Sequence, residues 1–351
     1  MNILIFLASL SGLILVHEWG HFWVARKNKV AVEEFGLGFP PRIMAKKFGE
    51  TIYSFNWIIL GGFVKLRGEE DPTDKLGFLA QSAWKKIAIT VAGVVMNLVL
   101  AYLLVSFGYL IGLPDFDESL SNVTILQVLP NSPAEKNGFK IGDQLLSLQT
   151  PDGLVMLKNP KELRSVTEKY KGQDINVLVK RGQQQFSKEV RLEAVTAPTK
   201  GPLGIAVGSI ALVKQPFPRN FIEGAKRVGI ITWRILTSFK DIIVKLVGER
   251  KFEADVVGPL GIFNIFEQMK LLGWGYLFHF WALVSLNLVI INILPLPALD
   301  GGRIIFNLAE LVRGRPLSLK FETIIHQIGF VLLLLLLLLV SLKDLKTILW
   351  R

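Results

Sequence analysis

The chain has 351 residues, of which 51% are hydrophobic, with no cysteine and a formal net charge of +11. Its mean hydropathy of +0.43 is that of a membrane protein. The lack of cysteine excludes disulfides and thiolate catalysis. The positive residues lie beside apolar stretches with no basic-aromatic patch, which excludes nucleic acid as a partner and points to lipid headgroups and membrane topology.

Four apolar spans approach the twenty residues that a bilayer requires: Asn2 to Ala25, about Ile87 to Leu113, about Leu277 to Leu296, and Ile324 to Leu342. The first lacks the basic start and small-residue cleavage site of a signal peptide. Inside it stands His17-Glu18-Trp19-Gly20-His21, which takes two of the four histidines in the chain. At 3.6 residues per turn both imidazoles project from one helix face, where they can grip one zinc ion. The carboxylate beside the first can act on water that the metal makes acidic. Ionisable groups at bilayer depth cost roughly 2.5–3.5 kcal/mol each on insertion scales, so a functional reading outweighs two stray polar residues.

The stretch from Val30 to Ala83 is not featureless. Glu34-Phe-Gly-Leu-Gly-Phe-Pro-Pro41 is a glycine- and proline-punctuated turn. Ile52-Tyr-Ser-Phe-Asn-Trp57 and Gly62-Phe-Val-Lys-Leu-Arg67 alternate like strands, which predicts a short hairpin sheet against the membrane face. The insert from about Pro114 to Val213 reads as a soluble α+β domain. Val123 to Leu129 and Ile175 to Lys180 form strands in it, and a short capped helix starts at Ser132-Pro-Ala-Glu. Phe221 to Val247 has the spacing of an amphipathic helix that lies on the membrane or against the insert. Leu332 to Leu339, an unbroken leucine block in the fourth span, reads as lipid-facing packing.

The third span runs into Asn292-Ile-Leu-Pro-Leu-Pro-Ala-Leu-Asp300-Gly-Gly-Arg303, whose prolines and glycines end or unwind it. Asp300 needs a partner there. Two histidines and a carboxylate make a three-ligand zinc site with a fourth position left for water. Spacing alone leaves the capping or snorkelling alternative open for Asp300. Lysines and arginines crowd the connections between spans one and two and between spans three and four, which puts both in the cytoplasm and the insert outside. The tail residues Lys343, Lys346 and Arg351 pull weakly the other way.

Taken together these motifs resemble the bacterial branch of the site-2 protease family of intramembrane zinc metalloproteases. The resemblance rests on His17-Glu-x-x-His21, Leu299-Asp300-Gly301, Gly61-Gly-Phe-Val-Lys-Leu, Ala92-Gly-Val-Val-Met-Asn97, Asn287 to Asn292 and Gly258-Pro-Leu-Gly-Ile262. It covers nearly the whole length. It implies one zinc ion held by His17, His21 and Asp300, with Glu18 as general base. It also implies Asn292 as a contact to substrate backbone and a single PDZ domain in the insert, where some relatives carry two. The strand Phe63-Val64-Lys65-Leu66 suits an extended substrate held by β-augmentation. His279 and His326 read as helix-end residues, His326 being the better spare ligand.

The expected fold is an α-helical membrane protein with four transmembrane helices, a cytoplasmic-side membrane-associated β-hairpin and an inserted α+β PDZ domain. Its expected divisions are helix one (1–26), hairpin region (27–83), helix two (84–113), PDZ domain (114–213), amphipathic connection (214–274), helix three with the aspartate ligand (275–300), cytoplasmic connection (301–323), and helix four with tail (324–351). The expected function is hydrolysis of single-span membrane proteins, such as anti-sigma factors or remnant signal peptides, in a bacterial inner membrane. The active site would face the cytoplasm, and a peptide would be the ligand of the PDZ domain. A non-proteolytic PDZ-bearing adaptor is the alternative, although a scaffold has no use for Glu18. A zinc transporter would need more polar residues along spans two to four.

Overall fold

The computed structural model describes residues 2–69, 71, 73–116, 121–129, 131–194, 201–248 and 258–349, so the tail's Arg351 lies outside the described residues. The first half comprises α1 (Asn2–Lys27), β1 (Val32–Phe48), β2 (Thr51–Leu66), α2 (Ala83–Ile111), β3 (Leu113–Phe116), β4 (Thr124–Val128), α3 (Pro133–Lys136), β5 (Gln144–Thr150), β6 (Gly153–Met156) and α4 (Pro160–Lys169). Then follow β7 (Asp174–Arg181), β8 (Gln184–Arg191), β9 (Ile205–Gly208), β10 (Ile210–Val213), α5 (Arg219–Gly248), α6 (Pro259–Leu272), α7 (Trp274–Ile293), α8 (Asp300–Arg313) and α9 (Leu319–Leu349). Among them α1, α2, α7 and α9 as far as Leu345 are long and apolar enough to cross a bilayer.

The chain divides into two compact units. One takes residues 1–107, 217–267 and 277–346, the other 108–216, 268–276 and 347–351. In the first, α1 turns Leu13, His17 and Gly20 inward and leaves Trp19 and Trp23 exposed, so the histidine face is also the packing face. Phe6 meets Phe263, Phe266 and Trp281, which joins α1 to α6 and α7 through aromatic contacts 5.4–5.9 Å apart. The leucines of α9 are almost all exposed, the surface expected of a helix whose solvent is lipid.

The sheet beside α1 is more than the hairpin that alternation predicts. Residues 34–37 of β1 pair with 52–55 of β2 on one side and with 62–65 on the other, while 42–48 pair back onto 51–56. Pro40 and Pro41 lack the N–H a ladder needs, so the strand breaks there and the chain returns along β2. Residues 62–66 thus form an outer arm paired to β1 on one side only. Ser11 on α1 donates to the Ile59 carbonyl at 3.2 Å, so this arm begins alongside the middle of the helix. Its far end is pinned where Leu66, Phe78, Val32, Ala25 and Ile89 close a small apolar core.

The second unit holds an antiparallel sheet in the order β8-β7-β5-β4-β9, with β6 paired to β5, and a separate β10-β3 pair. Ile125, Leu145, Leu148, Ile175, Val177 and Val179 fill its core. Ser132 caps α3 and Asn159 caps α4, each accepting from an amide three residues on. Buried Asp143 takes a two-pronged bond from Arg181, 2.6 Å to Nε and 2.7 Å to Nη2.

The third span ends earlier than the expected 275–300. Helix α7 stops at Ile293 because Pro295 and Pro297 cannot donate to a continuing helix. Asp300 therefore opens α8 and does not close the span.

Candidate metal centre

The residues come together across nearly the full chain length. His17 Nε2 lies 3.0 Å from Asp300 Oδ2, His21 Nε2 lies 3.5 Å from the same oxygen, and the two imidazole nitrogens are 3.1 Å apart. Among the described residues this is the one cluster of three histidine, aspartate or glutamate side chains disposed to hold a metal. A tetrahedral ion about 2.0–2.1 Å from nitrogen and oxygen ligands requires them roughly 3.3–3.4 Å apart, which this triangle matches closely. His21 Nδ1 donates to the Ile89 carbonyl at 2.8 Å, which leaves Nε2 with a lone pair facing the cluster. Asp300 Oδ2 is buried, and among the described residues only the two histidine nitrogens approach it. Lone pairs converging on one buried point repel one another unless a cation neutralises them, so the donor set fits zinc.

Asn97, fully buried on α2, stands behind the other histidine. Its amide nitrogen is 3.4 Å from His17 Nδ1, and its own Oδ1 has no hydrogen-bond partner among the described residues. Turning the amide by half a rotation places Oδ1 against the ring, where it accepts from Nδ1–H and frees His17 Nε2 as a ligand. Replacing Asn97 by leucine is expected to weaken zinc binding by about 10–100-fold, read by competition with a chelator on the detergent-purified protein. An unchanged affinity would remove Asn97 from the site. Helix α2 reaches the histidines only because residue 93 is glycine. A methyl there would lie 2.7 Å from His17 Nε2 and closer still to His21 Nε2.

Asp300 is delivered by a tight reversal between α7 and α8. A Cβ on Gly301 would meet the Ile293 carbonyl oxygen at 2.6 Å, and one on Gly302 the Leu296 oxygen at 2.6 Å, so both glycines let α8 fold onto the turn. Ala298 adopts a left-handed φ of 72°. Its N–H donates to His326 Nδ1 at 2.9 Å, and the ring meets Phe306 edge-on. His326 thus braces the turn and lies outside the metal cluster, as does His279. Buried Lys86 on the first turn of α2 bonds Glu310 at 2.5 Å and anchors the far end of α8.

Glu18 lines a cavity of about 180 Å³ together with His21, Asp300, Phe63, Val64 and Leu66, far larger than the ~10–15 Å³ one water requires. The Val64 amide of the outer arm reaches the Glu18 carboxylate. Lys65 does not line the cavity; its ammonium pairs with Glu33 at 3.3 Å. Asn292 sits half-buried on the last turn of α7, outside the cavity lining and without a side-chain hydrogen bond among the described residues. Two further residues on the cavity wall, Glu69 and Arg303, form an ion pair of 2.6 Å. Arg303 was legible only as a basic residue near a span, although it stands one helical turn from Asp300. Glu69 carried no signal.

Comparison with known proteins gives the family. The sequence matches the profile of Peptidase family M50 over residues 5–336. A Clostridium perfringens protein named as a zinc metalloprotease is 35% identical over 350 residues, covering 98% of both chains. A Nostoc sp. protein of the same designation is 33% identical over 98% of this chain and 96% of its own. The regulator of sigma-W protease RasP of Bacillus subtilis is 26% identical over 429 aligned positions, covering 98% of each. The chain belongs to peptidase family M50, the site-2 protease family, and is a zinc metalloprotease of that type.

Proposed function

We propose that this protease cuts single-span membrane proteins within or near their transmembrane segments, with His17, His21 and Asp300 holding one zinc ion and Glu18 as general base. The observation that carries the reading is the donor triangle, two of its corners on a membrane-length helix and the third at the start of α8, beside a cavity walled by the outer arm 62–66. Bound there, zinc supplies Lewis-acid chemistry, polarising a carbonyl and making water acidic near neutral pH. Glu18 takes the water's proton and passes it to the departing amine. A membrane helix hides its amides in internal hydrogen bonds, so the substrate must unwind before it is cut. Phe63, Val64, Lys65 and Leu66 form the edge that holds the unwound stretch extended, with Val64 and Leu66 turning backbone groups towards it. Asn292, whose amide is unengaged among the described residues, contacts substrate from the end of α7.

Residues 114–213 are read as a PDZ domain outside the membrane, acting as a reader of substrate ends or a size filter. The short helix capped by Ser132 and the antiparallel sheet support this reading. The basic residues flanking α2 and α8 support a cytoplasmic active site in a bacterial inner membrane. A relative named as a regulator of sigma-W supports anti-sigma factors as substrates, with remnant signal peptides as a second class. The test is a panel of single-span peptides, offered in detergent micelles to the purified protein and mapped by mass spectrometry. Cuts within or beside the apolar segment are expected. Cutting confined to soluble peptides would refute the proposal.

A further inference from the structure

On the reading that the outer arm 62–66 holds substrate, we infer that Glu69, fastened by Arg303, occupies the place of one substrate residue and must leave for substrate to bind. Strand alternation decides which backbone groups of the arm face the open edge. Arg67 N–H donates to the Ala31 carbonyl at 3.0 Å, towards β1. Backbone groups alternate sides along a strand, so Leu66 and Val64 turn theirs away from β1, to the open edge.

At that edge Leu66 is already paired. Its N–H donates to Glu69 Oε2 at 3.3 Å, and its carbonyl accepts from the Glu69 N–H at 3.3 Å. Two residues facing each other in a hydrogen-bonded antiparallel pair exchange both bonds in this way. Glu69 reproduces the exchange, with a side-chain oxygen in place of a main-chain carbonyl. Its other oxygen, Oε1, is held by Arg303 Nη1 at 2.6 Å. Val64, whose amide reaches Glu18, is two residues away, about 6.6 Å along the arm. Glu69 therefore fills the subsite next to the catalytic carboxylate, and an incoming peptide competes with it for Leu66. Arg303 sets how firmly the placeholder sits.

The absence of native cysteine makes the test direct. Lys65→Cys in a Glu18→Gln background is offered single-span peptides carrying one cysteine at successive positions, and disulfide formation on adding diamide as the two-electron oxidant reports pairing with the arm. Adding Glu69→Ala is expected to raise crosslinking at sub-saturating peptide. In protein with Glu18 intact, Glu69→Ala is expected to lower KM about tenfold with kcat within about twofold, because a charge-assisted contact no longer competes. Arg303→Gln should move KM the same way, with zinc content equal throughout. Position-dependent crosslinking that Glu69→Ala leaves unchanged, or a KM that stays or rises, would overturn the inference while leaving the arm as the substrate site. No crosslinking at any peptide position would overturn the arm itself, and the inference with it.

Discussion

Replacing Glu18 by glutamine is expected to reduce turnover of a single-span peptide by about 10³–10⁴-fold while the protein keeps one zinc ion. Glutamine preserves the shape of the side chain in the cavity beside Val64 but cannot accept a proton from water. General-base contributions span about 10²–10⁴-fold, and the upper part of that range applies where no second carboxylate can take over. Two other carboxylates stand on the cavity wall: Asp300, whose oxygen belongs to the donor triangle proposed to hold the metal, and Glu69, which is paired with Arg303. The check is single-turnover cleavage alongside zinc content for both proteins. A variant that retains zinc and more than a tenth of the activity would remove Glu18 from the reaction.

Asp300→Ala is expected to fail differently, by losing the metal. Two imidazoles remain, and the only anionic donor of the triangle is gone, so zinc should fall well below one per chain in the purified protein and activity with it. The fold should survive. Lys86 with Glu310 and His326 with Ala298 hold α8 and its turn without using the Asp300 side chain. Metal analysis and thermal unfolding on the same sample separate the two effects. Full zinc occupancy in Asp300→Ala would show that the ligand set is wrong.

What the sequence makes legible follows from distance along the chain. His17, Glu18 and His21 fall within two helical turns, so helix geometry alone predicts their shared face. Asp300 stands nearly the whole chain away, and its meeting with them depends on contacts that no periodicity encodes. These are the missing side chain at Gly93, the fold of α8 over Gly301 and Gly302, and the Lys86–Glu310 pair. Alternation in 52–57 and 62–67 predicts strands but not their register, so the doubled pairing of residues 34–37 and the one-sided pairing of 62–66 to β1 were out of reach. The prolines of the 292–303 segment predicted a break in the third span, yet not that the break would put Asp300 at the start of a new helix. Asn97 was visible within a motif, and its role behind His17 emerged only from the packing of α2 on α1.

The most direct test is to follow zinc content and peptide cleavage on one preparation through chelation and zinc return. One zinc per chain at the outset is predicted, with cleavage falling in proportion to the metal removed and recovering when zinc is restored. Cleavage that persists in metal-free protein would contradict the account.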